Sequence, residues 1–221
     1  MPQAMNEQAG PARHRSPTGS RAGRPTAEAA ARKRAQILDA AVEVFTRHGF
    51  AGTSMDEIAA TARVSKPTVY ARFGSKQDLL KAAIWHVVEN RGPPLGQSAQ
   101  ADDPVEGLQQ LIAEILKRTT DPVYLGIFRL FLTEAAVFPE VFDAFSKSMV
   151  EGTQLDVEGY IARHAALHSP SAPPEQIAST ILALVGNVVM VAATRRSAAP
   201  AEAEAEAERI VRTVLYGCLP R

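Results

Sequence analysis

A chain of 221 residues, 46% apolar and 22% charged, has ordinary globular composition and is long enough for a small domain plus a medium one. Its single cysteine, Cys218, excludes an intrachain disulfide and fits a reducing, cytoplasmic setting, and the apolar run over residues 181–193 is too short to span a bilayer. The net charge is zero, yet residues 1–91 carry 14 Lys/Arg against 8 Asp/Glu while residues 92–221 carry 10 against 16, so a polyanion is expected to meet only the front half.

In chain order, residues 1–27 are rich in Pro, Gly, Ser and Arg, cannot bury enough surface to fold, and are expected to form a basic arm. No apolar segment follows their arginines, so no secretory signal is expected. From Glu28, the residues Ile37, Leu38, Ala41, Val44, Phe45 and His48 recur at helical spacing, and Gly49 should end that helix. Ser54 and Glu57 make an S-x-x-E capping box before a short apolar face of Met55, Ile58, Ala59 and Ala62. Ser65 can cap a second short helix with Pro67 in its first turn, Val69 and Phe73 inward, and Gly74 as its stop. Ser75 then caps a longer helix ending near Arg91.

A Gly/Pro/Ser/Asp-rich break over residues 92–104 separates this front from further helices, expected over 105–119, 123–137, 139–166, 175–195 and 201–217. Nothing alternates with period two over a useful length. The expected fold is all-α, with about nine helices: a helix-turn-helix domain over 28–91 and a helical bundle over 92–221.

Two short helices joined by a turn present the N-terminus of the second to the major groove. Lys66 can donate to guanine and Thr68 can bond a base or touch a thymine methyl, with Pro67 between them. Thr53, Ser54, Ser65, Tyr70, Arg72 and Lys76 are suited to phosphate. The run ILDAAVEVFTRHGFAGTSMDEIAATARVSKPTVYARFGSKQDLLKAAI closely resembles the N-terminal domain of TetR-family transcriptional regulators over about 50 residues. The matching features are IL-x-AA-x-x-x-F, G-F-x-x-T-S-M-x-x-I-A, V-S-K-P-T-V-Y-x-x-F and S-K-x-x-L, in order and at the family's spacing.

The resemblance implies that Ser65, Lys66, Pro67 and Thr68 open a recognition helix. It also implies that Tyr70, Arg72, Lys76, Thr53 and Ser54 hold phosphates of double-stranded DNA. One position departs from the family's pattern: Arg63 stands where the turn usually has glycine, so it either accepts a strained positive φ or the turn differs. Arg24, beside Pro25, is either a minor-groove contact or part of a solvated tail, and Lys33 opens the first helix as a further cation.

The stretch FRLFLTEAAVFPEVFDAF is similar to the AefR-like branch of the family, whose C-terminal half, the resemblance implies, dimerises and binds a small-molecule effector. Pocket candidates are Trp85, Phe128, Phe131, Phe142, Phe145, Met149 and Tyr160, with Phe138 beside them; each is equally a core residue by type. Arg129 and Glu134 could orient a ligand, pair with each other or reach solvent. Ile181, Leu184, Val188, Ile210, Val211 and Val214 are the expected homodimer contacts on the last two helices. No nucleophile elbow, zincin, Walker or dinucleotide motif is present, so no catalysis, cofactor or metal is expected. His164 and His168, four residues apart, have no third ligand nearby in sequence.

Overall fold

A computed structural model describes residues 27–90, 95, 101–167, 172–195 and 203–217. The front half forms four helices: α1 (Ala27–Gly52), α2 (Met55–Thr61), α3 (Lys66–Phe73) and α4 (Lys76–Glu89). In α1 the periodic residues Ile37, Leu38, Ala41, Val44 and Phe45 are buried, and its helical geometry breaks at Gly49, where φ is 72°. A Cβ at Gly49 would meet nothing within 4 Å, so the left-handed backbone, not lack of space, calls for glycine there.

Ser54 and Ser75 each accept a bond from the backbone N–H three residues on, both at 3.1 Å, and so cap α2 and α4. The reciprocal half of the expected box goes elsewhere: the Glu57 carboxylate meets His48 Nε2 at 3.1 Å. That partner draws His48 out to solvent, correcting its placement on the buried face. Ser65 takes the cap position of α3 without a cap bond, because its Oγ shares a hydrogen with Thr68 Oγ1 at 2.7 Å.

The back half adds α5 (Pro104–Thr119), α6 (Pro122–Glu134), α7 (Pro139–Ser146), α8 (Gly152–Arg163), α9 (Pro174–Arg195) and α10 (Ala203–Tyr216). Asp103 and Asp121 cap α5 and α6 through Val105 N and Val123 N, at 2.9 and 2.8 Å, each with proline in the first turn. There are ten α-helices among the described residues rather than about nine. The single helix expected over 139–166 is divided by a π turn at Lys147–Glu151 and ends at Arg163. Hydrophobic spacing cannot reveal such a turn, since one inserted residue shifts the phase of the stripe without removing it.

Two hydrophobic cores form, and they do not divide at residue 92. The first joins α1–α4 to Ile127 and Leu130 of α6, to Phe138 just ahead of α7, and to Val141, Phe142 and Phe145 within α7. The second lies among α5, α8, α9 and α10, with Leu125 of α6. Helix α6 therefore belongs to both. At Gly126 its backbone comes so close to α1 that an added Cβ would stand 2.5 Å from Thr46 Cβ.

Helix α9 is long and apolar enough, by length and composition, to cross a membrane, with a mean hydropathy of 2.0. Its burial gives that apolarity another use. Ile177, Ala178, Ile181, Val185, Val189 and Ala193 face the bundle, where α6, α8 and α10 pack on it, while Gln176, Ser179 and Asn187 are exposed.

Candidate nucleic-acid interface and cavity

The reading edge is built from the turn outward. Helix α2 closes with Arg63 N–H on Ala60 O at 3.0 Å and Val64 N–H on Ala59 O at 2.9 Å, the paired bonds of a Schellman end. Arg63 takes the left-handed position with φ 52°, the single non-glycine residue with positive φ among the described residues. Of the two outcomes open to it, the strained one is realised. Gln36 of α1 adds a bond to Ala62 O at 2.9 Å, tying the turn to the long helix.

Beyond the turn, Val69 (0% exposed) and Phe73 (7%) anchor α3 in the first core. That anchoring leaves Ser65, Lys66, Pro67, Tyr70 and Arg72 exposed and Thr68 half-buried. Lys66 Nζ pairs with Asp56 of α2 at 2.8 Å and lies 5.9 Å from the Tyr70 ring centroid. The hydrogen bond and charge of Asp56 hold the Lys66 ammonium above its ordinary range. Arg72 donates to Ala30 O of α1 at 3.2 Å. Lys33 is exposed on α1, and Arg34 lies 5.2 Å from the centroid of the Phe73 ring.

Two phosphate candidates sit differently. Thr53 is 3% exposed and its hydroxyl donates to Gly49 O at 2.7 Å, so that proton is committed to the end of α1. Lys76 Nζ donates to Phe50 O at 2.9 Å and Thr53 O at 3.0 Å, and stands 4.5 Å from the Phe50 ring centroid. Its ammonium closes the open carbonyls left where α1 breaks, with one of three N–H groups remaining. Arg24 and Cys218 lie outside the described residues.

A cavity of about 200 Å³ opens between α5, α6, α9 and the α7–α8 junction. Of the seven pocket candidates, Phe128, Phe131, Phe145 and Met149 line it. The other three lie elsewhere. Phe142 is 1% exposed and packs edge-on against Phe131; Trp85 is 38% exposed on α4. Tyr160 is buried with its Oη donating to Pro104 O at 3.2 Å, and burial pushes its phenol up from the ordinary value. Phe138 packs edge-on against Phe50 at 4.9 Å. The sequence reading missed the aliphatic wall, Ile115, Leu182, Val185 and Val189, and the hydroxyls of Thr119, Tyr124, Ser146 and Thr153. Their chemistry is that of any core, so only the bundle's geometry could single them out.

Arg129 Nε donates to Ala193 O at 2.9 Å, and so braces α9 rather than the cavity. His164 shares a hydrogen with Tyr160 O through Nδ1 at 2.8 Å; His168 lies outside the described residues.

Three dimer candidates need correction. Ile181, Ile210 and Val211 are each 0% exposed inside the chain, because α10 packs on α5 and α9 and takes that apolar stripe for the second core. A helical stripe identifies a buried face without naming the neighbour that buries it. Leu184, Val188 and Val214 are half-buried, and the outer side of α9 exposes Ala183, Asn187, Met190 and Val191.

With a helix-turn-helix front and this bundle in place, comparison with known proteins is decisive. The profile of bacterial regulatory proteins of the tetR family matches residues 37–83, and that of the AefR-like transcriptional repressor C-terminal domain matches residues 106–217. The chain belongs to the TetR family. Members of that family are helix-turn-helix, DNA-binding transcriptional regulators.

Among curated relatives, the transcriptional repressor SCO4008 of Streptomyces coelicolor is 41% identical over 75 residues, 34% of this chain and 37% of the relative. The transcriptional activator FasR of Mycolicibacterium smegmatis is 47% identical over 58 residues, 26% of each chain. These matches span less than half of the relatives' length. Among solved structures, a TetR-family regulator from Mesorhizobium loti superposes with a TM-score of 0.70 at 24% identity, covering 84% of this chain and 94% of that one. FadR from Bacillus subtilis, in complex with stearoyl-CoA, gives 0.63 at 17% identity over 83% of this chain and 98% of that one. At such identities the structural likeness establishes the fold.

Proposed function

We propose that this TetR-family regulator is a cytoplasmic homodimer that represses transcription from a palindromic operator and is released by a small molecule bound in the bundle. The observation that carries the reading is the exposed N-terminal edge of α3, seated on a buried Val69–Phe73 anchor. Lys66, Pro67 and Thr68 then read bases, while Ser54, Ser65, Tyr70 and Arg72 hold phosphates, with Lys33 and Arg24 as supporting cations. Lys76 keeps one donor for phosphate, and Thr53 serves the frame instead.

A two-fold dimer places two such edges about 34–36 Å apart, or a multiple of that, and asks for matching half-sites. The outer side of α9, with Leu184, Val188 and Val214 at its margin, is the surface proposed to join the copies. Effector binding shifts the spacing of the two edges by its differential affinity for the two states. Activation is the second reading, favoured by the 47% identity over 58 residues to an activator. Neither reading involves catalysis or a cofactor.

The test is fluorescence anisotropy of the full chain on duplexes from its own upstream DNA, with sedimentation to weigh the complex. Two chains per palindrome, with binding that weakens steeply as salt rises, is the expected result. Failure to bind any such duplex at low salt overturns the reading. Transcription in vitro from the same promoter, with and without the protein, separates repression from activation.

A further inference from the structure

We infer that the cavity between α5, α6 and α9 takes an uncharged, predominantly hydrocarbon molecule of one or two rings, and discriminates against carboxylates and acyl-CoA thioesters. This rests on the reading of that cavity as the effector site. It goes further by fixing the ligand's charge and size from the wall.

Among the described residues, the wall contains no Lys, Arg, His, Asp or Glu. Its threonines do not repair that lack. Thr119 Oγ1 donates to Ile115 O and Thr153 Oγ1 donates to Met149 O, both at 2.7 Å, so each spends its proton inside its own helix. Nearby cations are also committed or turned away: Arg118 pairs with Glu114, Arg129 holds Ala193 O, and Lys147 is exposed outside the wall. An anionic head brought in here would lose its hydration and find no charge to replace it.

The apolar side of the wall favours a flat ring. Phe128 and Phe131 lie near-parallel, 20° between planes at 6.0 Å, and present aromatic surface beside Met149. Size gives the scale of what the walls enclose. A dry cavity of about 150 Å³ lined by aliphatic and aromatic groups holds benzene, so a volume of about 200 Å³ within this open-mouthed cavity seats one ring with substituents, or two fused rings. The π turn sharpens this. It carries both Met149 and Val150 to the wall, and such turns recur at ligand sites.

The test uses the full chain and three probes: methyl 1-naphthoate, 1-naphthoate and decanoyl-CoA. Calorimetry and thermal shift should show the ester binding at least tenfold tighter than the carboxylate of the same shape, with the CoA thioester weakest. Val150 is 53% exposed at the rim, so Val150→Lys should fold normally and supply the missing cation. That variant should raise the affinity for the carboxylate relative to the ester several-fold. Equal binding of ester and acid, tighter binding of the thioester, or no binding of any probe overturns the inference. Ester binding that leaves DNA affinity untouched upholds the inference and sinks ligand-responsive regulation, so the two failures are distinguishable.

Discussion

Arg63 offers a direct test of the turn that aims the reading helix. Its φ of 52° places an L-residue with a full side chain where helix ends favour glycine. The left-handed conformation costs such a residue about 1–2 kcal/mol. Arg63→Gly removes that cost but gives the unfolded chain extra freedom worth roughly 0.4–1 kcal/mol. The two closing bonds, Arg63 N to Ala60 O and Val64 N to Ala59 O, are backbone bonds that glycine keeps.

The net expectation is a gain of about 0.5–1 kcal/mol, a rise in Tm of roughly 1–4 °C for a chain of this size. Differential scanning calorimetry of both forms reads it directly. A lower Tm for Arg63→Gly would refute the reasoning, because it would mean the arginine side chain contributes more than its backbone strain. Anisotropy at several salt concentrations asks a second question of the same variant. Arg63 is exposed, and if its guanidinium neutralises a phosphate the salt slope falls by about one on its removal. An unchanged slope assigns it to the turn alone.

Lys66→Ala should cost about 1–3 kcal/mol on the operator with little loss of stability, since its pair with Asp56 is exposed. Lys76→Ala should instead lower stability by about 1–3 kcal/mol in urea melts, because it leaves the carbonyls of Phe50 and Thr53 without their charged donor. Similar stability losses for the two variants would erase that division. Gly107→Ala places a Cβ on top of Tyr160 Oη and 3.1 Å from its Cζ, so it should destabilise by about 1–3 kcal/mol, and Tyr160→Phe in the same chain should restore part of the loss. Val191→Glu puts a charge on the outer side of α9, where Val191 is 37% exposed, and should shift sedimentation from dimer to monomer with helicity intact.

The reading domain was legible in the sequence because its signals are local. Ser54, Ser75, Gly49 and Gly74 mark caps and stops within a few residues, and Val69 and Phe73 repeat at one helical turn. The places where expectation and structure part are those where a distant partner decides. His48 is drawn to solvent by Glu57, Thr53 is turned inward by Gly49 O, and Lys76 is engaged by carbonyls more than twenty residues away. The bundle was less legible for the same reason. Ile181, Ile210 and Val211 carry the stripe of an interface, but the packing of α10 on α5 decides that the second core takes them.

That same long-range packing bears on how a bundle ligand can reach the reading edge. Phe145 belongs to the first core and also to the cavity wall, and Phe131 lies on that core while packing on Phe142 at 5.5 Å. Phe138 of the same core meets Phe50, whose ring and carbonyl both engage Lys76 at the start of α4. Lys81 of α4 pairs with Glu140 of α7 at 2.9 Å on the outside of this contact. A close-packed interior does not absorb an added ring by compressing. A molecule seated against Phe131 and Phe145 therefore touches side chains that belong to, or pack on, the core that seats α1 and α4. Contiguity alone does not establish coupling. It does fix where coupling must be sought: variants at Phe138 and Glu140 should change how strongly a cavity ligand alters DNA affinity while leaving affinity for the ligand itself nearly unchanged.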